Sequence, residues 1–124
     1  MIHLDANYLI LGGNTSAMEG TNLLRWVGQG EALSTSSVAW MEFVTGPATP
    51  GVVEFMLRIV EERVIPVGRD EAELAALLFN DAGRKRPARY DCMIAATAIR
   101  SGARLATTHL ADFRAFAPRG LELA

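Results

Sequence analysis

A chain of 124 residues, half of them apolar, is long enough for one packed domain and too short for several. A net charge of −2 excludes a generally basic, nucleic-acid-coating protein, so any polyanion must be held by a local patch. The single cysteine, Cys92, rules out an intrachain disulfide, and the segment after Met1 has neither a basic start nor a membrane-length apolar run; a cytoplasmic protein without a membrane anchor is expected.

Ile2-His3-Leu4 reads as a short strand ending at Asp5, and Tyr8 to Leu11 continues apolar until Gly12-Gly13-Asn14 breaks the chain. Leu23, Leu24 and Val27 keep helical spacing in a segment closed by Gly28 and Gly30. Ala32 to Thr35 predicts a second strand, and Ser37 to Val44 a helix that stops before Gly46-Pro47. Pro50-Gly51 opens the clearest amphipathic helix, with Val53, Met56, Leu57 and Val60 on one face and Glu54, Arg58 and Glu61 on the other. Val64 to Val67 is strand-like, and Pro66 assigns it to a sheet edge. Asp70 is expected to cap a helix carrying Leu74, Leu77 and Leu78, with Gly83 as its stop.

Arg84 to Arg89 reads as a basic loop. Asp91 to Ile99 follows as a helix whose Cys92, Ala95, Ala96 and Ile99 share a face suited to close packing. Arg104 to Thr107 predicts another strand, Leu110 to Phe116 a short helix, and Leu121 to Leu123 a last strand. Strands separated by helices imply parallel pairing, hence one α/β domain over residues 1–124 with roughly five strands. Ligands of such sheets bind beyond the carboxyl ends of the strands.

Four acids occupy those ends: Asp5 after the first strand, Glu42 in the helix after the second, Asp91 at a helix start, and Asp112 past the strand that begins at Arg104. Each has an ordinary explanation. Asp91 and Asp112 could serve as first-turn helix acids, which stabilise by roughly 0.5–2 kcal/mol when they cap. Glu42 could be solvated, yet Trp40, Met41, Phe43 and Val44 around it look buried, and a carboxylate there is costly without a polar cleft or a cation. Asp5 follows an apolar strand and is the hardest to explain away. Converging carboxylates repel, and a hard divalent cation relieves them. Held by carboxylates, Mg²⁺ or Mn²⁺ activates water and offsets phosphate charge, the requirement of phosphodiester hydrolysis.

Asn7, Thr107, Thr108 and His109 could support the acids or touch phosphate, although Thr107 is equally an ordinary β-branched residue and His109 a surface one. Arg84, Lys85, Arg86 and Arg89 enter this site from the loop and are expected to contact phosphate; a solvated loop is the plainer reading. Tyr90 and Trp40 could stack a base or could pack in the core. His3 reads as a packed strand histidine and Cys92 as a small core residue.

At these residues the chain resembles PIN-domain ribonucleases, and specifically the VapC toxins of bacterial and archaeal toxin–antitoxin pairs. The resemblance runs over nearly the whole length. It is carried by Met1-Ile2-His3-Leu4-Asp5-Ala6-Asn7, by Ser34 to Phe43, by Leu105 to Phe113, and most specifically by Tyr90-Asp91-Cys92-Met93-Ile94-Ala95-Ala96-Thr97-Ala98. It implies a PIN-like three-layer sandwich and an Mg²⁺- or Mn²⁺-dependent endoribonuclease acting through Asp5, Glu42, Asp91 and Asp112. It also implies a homodimer and a small VapB-type antitoxin whose tail occupies the acidic groove. One position departs: the family commonly has Asn where His109 stands. The alternatives are a housekeeping RNA-processing PIN nuclease and a non-catalytic PIN-like binding module. An aspartyl-phosphate phosphatase would want a second Asp two residues beyond Asp5, where Asn7 stands instead.

Overall fold

Two- to four-residue strands suffice here because the central ones are covered on both faces. The computed structural model describes residues 1–124. Strands β1 (Ile2–Leu4), β2 (Leu33–Ser36), β3 (Val64–Ile65) and β4 (Arg104–Ala106) form one sheet in the order β3-β2-β1-β4. All pairs are parallel, and Leu4 sits opposite both Thr35 and Ala106. Every residue of β1 and β2 is buried, the mark of a parallel sheet packed between helices. Helices α1 (Ala6–Leu11), α2 (Met18–Gly28), α3 (Ser37–Thr45), α4 (Pro50–Ile59), α5 (Arg69–Asp81), α6 (Arg89–Arg100) and α7 (Leu110–Arg114) provide that cover. None of them is long and apolar enough to cross a membrane.

The α/β architecture is the one expected, with the fifth strand reduced to a single rung. Leu123 bridges Leu105 in parallel, with Leu105 N–H donating to Glu122 O at 2.8 Å and Ala124 N–H to Leu105 O at 2.8 Å. β3 is an edge strand and ends before Pro66, which has no amide to continue a ladder.

The polar residues of the sheet pair with one another. His3 lies beside Ser34 in register, and its Nδ1 is 2.9 Å from Ser34 Oγ. The Thr35 hydroxyl donates to Leu4 O at 2.8 Å. Burial lowers the His3 imidazole to about 4 and leaves Nε2 without a partner.

The helices add two details to the expectation and correct one. Tyr8 to Leu11 belongs to a helix, because Asp5 caps it: Asp5 Oδ1 accepts from Ala6 N–H at 2.7 Å. In α2 the buried stripe is Glu19, Leu23 and Trp26, which leaves Leu24 and Val27 exposed; Trp26 packs its ring 5.6 Å from that of Tyr8. Asp70 does not cap α5. Gly68 is the cap residue, Glu71 Oε2 accepts its N–H at 3.1 Å, and Asp70 instead pairs with Arg100 at 3.3 Å.

The amphipathic α4 turns Met56 inward, with Val60 buried just beyond its end. In α6 the burial exceeds one face: Ile94, Thr97 and Ala98 are inside along with Cys92, Ala95 and Ala96. This helix packs against α5, α3 and the sheet at once, and only small side chains permit such close approach. Gly12 and Gly20 are comparable. A Cβ at Gly12 would collide with the Leu23 side chain and Tyr8 O, and one at Gly20 with Asn14 O.

Candidate functional site

Parallel pairing sends the carboxyl ends of β1, β2 and β4 to the same edge of the sheet, and the elements that follow carry the acids. Asp5 is the first residue after β1, Glu42 lies midway along α3, Asp91 is in the first turn of α6, and Asp112 is in the first turn of α7. α3 packs on both α1 and α6, which brings Glu42 toward the other two.

The electrostatics show the gathering. Burial raises the Asp91 carboxyl to about 6, with further upward pushes from the charges of Asp5 and Asp112; His109 pulls in the opposite direction. Burial also raises Glu42, and Asp5 and then Asp91 add to it. No ion pair of the molecule includes any of the four acids. No three of these side chains close around a single point. The donor set is therefore four hard oxygen groups, none neutralised by an ion pair, the chemistry suited to Mg²⁺ or Mn²⁺.

Asp5 is the fixed member. It is 5% exposed, and both of its oxygens are engaged. Oδ1 takes the Ala6 amide, and Oδ2 accepts from the Thr107 hydroxyl at 2.8 Å. Thr107 Oγ1 in turn accepts the His109 N–H at 3.0 Å. Thr107 thus lies one residue past β4 and ties Asp5 to the loop leading to α7. Asn7 completes the corner: Nδ2 donates to Thr108 Oγ1 at 3.1 Å and lies 2.7 Å from His109 Nε2.

The structure separates the four cations of the basic loop. Arg84, at φ 59°, turns back onto α5, where it bonds Asn80 Oδ1 at 2.5 Å and lies 5.5 Å over the Phe79 ring. Lys85 lines a cleft of about 620 Å³ together with Asp91 and Asp112. Arg86 and Arg89 line a neighbouring hollow with Tyr90, which is 48% exposed. Trp40 does not face that way; its ring packs 5.2 Å from Phe43 on α3. The apolar walls of the cleft escaped sequence reading, because Ala82, Ala88, Ala115 and Phe116 come from separate segments and share no spacing.

Comparison with known proteins bears on the fold and the family. No curated protein matches the sequence. Solved structures match over nearly the full length. FitAcB from Neisseria gonorrhoeae is 21% identical, with 99% of this chain and 96% of that chain covered and a TM-score of 0.73. VapBC from Salmonella typhimurium, bound to DNA, is 22% identical over 99% and 96%, with a TM-score of 0.67. VapBC2 from Rickettsia felis, bound to a DNA fragment from its promoter, is 19% identical over 100% and 98%, with a TM-score of 0.66. At these identities the likeness is one of fold. The sequence profile of the PIN domain matches residues 2–117, and the chain belongs to the PIN-domain family.

Proposed function

We propose that this chain is a metal-dependent endoribonuclease and the toxin of a type II toxin–antitoxin pair. The observation that carries the reading is the set of four carboxylates, Asp5, Glu42, Asp91 and Asp112, at the carboxyl edge of a PIN-domain sheet, none of them in an ion pair. Asp5, Asp91, Glu42 and Asp112 would hold one or two Mg²⁺ or Mn²⁺ ions, which when bound supply an activated water and relief of charge on the phosphate. The chain's own groups do the positioning. Thr107 fixes Asp5, Asn7 fixes His109, and Lys85, Arg86 and Arg89 hold the polyanion beside a site that would otherwise repel it. Arg84, engaged with Asn80, steadies the loop and contributes least to RNA.

The partner reading rests on two features. Several of the structural neighbours are toxin–antitoxin complexes, among them one from Klebsiella pneumoniae. On this chain Val52 and Phe55 of α4 are exposed at 38% and 40%, and Val52 lines a hollow with Ile10, Phe43 and Pro47. A small antitoxin would anchor on those apolar groups and place a basic side chain among the acids, a charge-assisted contact that competes with the metal. The toxin would act as a homodimer.

The test is expression of the chain alone and beside its neighbouring gene, scored for growth and RNA cleavage. Toxicity that Asp5→Asn abolishes and the neighbour relieves is the expected result. A harmless chain that still cuts RNA moves the assignment to an RNA-processing nuclease, and one that cuts no RNA with either metal moves it to a binding module.

A further inference from the structure

The cleft beside Asp91 and Asp112 combines two chemistries. Its walls are Ala88, Ala115, Phe116 and Pro87, and its single cation is Lys85. Short alanine side chains leave the space open, and about 620 Å³ falls within the roughly 300–1,000 Å³ of small-ligand sites. Lys85 faces the same cleft as two acids yet forms an ion pair with neither. On the far side of Pro87 the second hollow begins, with Arg86, Arg89 and the Tyr90 ring. Tyr90 packs against no other aromatic ring. Together the two hollows offer an apolar wall, a lysine, and an open ring with two guanidiniums, the groups that hold single-stranded nucleic acid.

We propose that the Ala88–Ala115–Phe116 cleft is the subsite for one unstacked nucleotide of the RNA, adjacent to the phosphate presented to the acids. Its base lies on the apolar wall and its phosphate on Lys85; the next nucleotide stacks on Tyr90, with its phosphate between Arg86 and Arg89. The inference rests on the nuclease reading and adds a source of specificity. A base can enter a cleft only when it is splayed from its neighbours, so the substrate is single-stranded at the cut, and the wall selects base identity at one position.

The test is cleavage-site mapping on a randomised RNA with Mg²⁺ or Mn²⁺. The wild-type chain should show a base preference at one position beside the cut. Ala115→Phe fills the cleft from an exposed position and should flatten that preference and lower kcat/KM about tenfold or more. Lys85→Gln should raise KM with kcat retained, and should reduce the log–log salt slope by about 0.7, one phosphate contact on a single strand. Circular dichroism establishes that both variants are folded. If Ala115→Phe cuts at the wild-type rate with the wild-type preference, the subsite is overturned and the nuclease reading stands. If the variant cuts RNA normally but no longer captures the antitoxin, the cleft belongs to a protein tail and the proposal is again overturned. If the wild-type chain cuts no RNA, the nuclease reading fails, and titration with nucleoside monophosphates decides the cleft alone. Amide shifts at Ala88 and Ala115 then support the subsite, and their absence overturns it.

Discussion

Asp91 carries two opposed consequences of its position. Its carboxyl is raised to about 6, above the ordinary 3.8, by burial and by the acids around it. For an acid this sign means that ionisation works against the fold: the cost sets in above the unfolded value and is complete once pH exceeds the folded one. Asp91→Asn removes it. In chelator at neutral pH the variant should therefore melt higher than the wild-type chain, while its RNA cleavage with metal nearly vanishes. A variant that melts lower in chelator would refute the repulsion account. Thr107 has a different role, since its hydroxyl holds Asp5 Oδ2 and receives the His109 amide. Thr107→Val keeps the shape and deletes both contacts. Activity should drop roughly 10–100-fold, as is usual when a ligand loses its orienting partner, and steady-state rates at saturating metal would measure it.

At the level of elements, β1 places a titratable ring inside the sheet. His3 is fully buried, and its pKa falls from 6.5 to about 4 because burial penalises the charged ring. A base with a depressed folded value is protonated first in the unfolded chain. Stability from the neutral ring is thus complete above pH 6.5 and drains away as pH falls toward 4, by roughly 3 kcal/mol at most. His3→Gln keeps a partner for Ser34 and should flatten urea-measured stability across that window; an unchanged pH slope would assign the acid sensitivity to other groups. The helices show a similar dependence on context. α6 reads from its sequence as one-faced, yet it sits against α5, α3 and the sheet, so its burial is set by neighbours that its own periodicity does not report.

For the whole molecule the proposed metal binding is the quantity to measure. On the proposed reading a divalent cation relieves the repulsion among Asp5, Glu42, Asp91 and Asp112, and a ligand that binds only the folded state stabilises it by RT ln(1 + [L]/Kd). At a hundredfold excess over Kd the gain is about 2.7 kcal/mol. Millimolar Mg²⁺ or Mn²⁺ should raise the thermal midpoint by several degrees over the value in EDTA, and Asp5→Asn should shrink that rise. Equal midpoints with and without metal would remove the cation from the reading.

The division between sequence and tertiary structure follows the range of the forces. The strand and helix alternation, the edge position forced by Pro66, the stop at Gly83 and the polar character of Asp5 after an apolar run are local, and the chain alone determined them. Which residue caps α5, which stripe of α2 turns inward and how short β3 is depend on packing partners far along the chain. That the elements carrying the four acids follow strands ending at one edge was legible as topology, because parallel strands send their ends the same way. Two details were decided only by the fold. Asp5 caps α1 while Thr107, 102 positions away, holds its other oxygen. The basic run divides into a cation committed to α5, one facing the acids and two beside Tyr90. Side-chain direction in a turn is set by contacts with distant segments, and no spacing within Arg84 to Arg89 encodes those contacts.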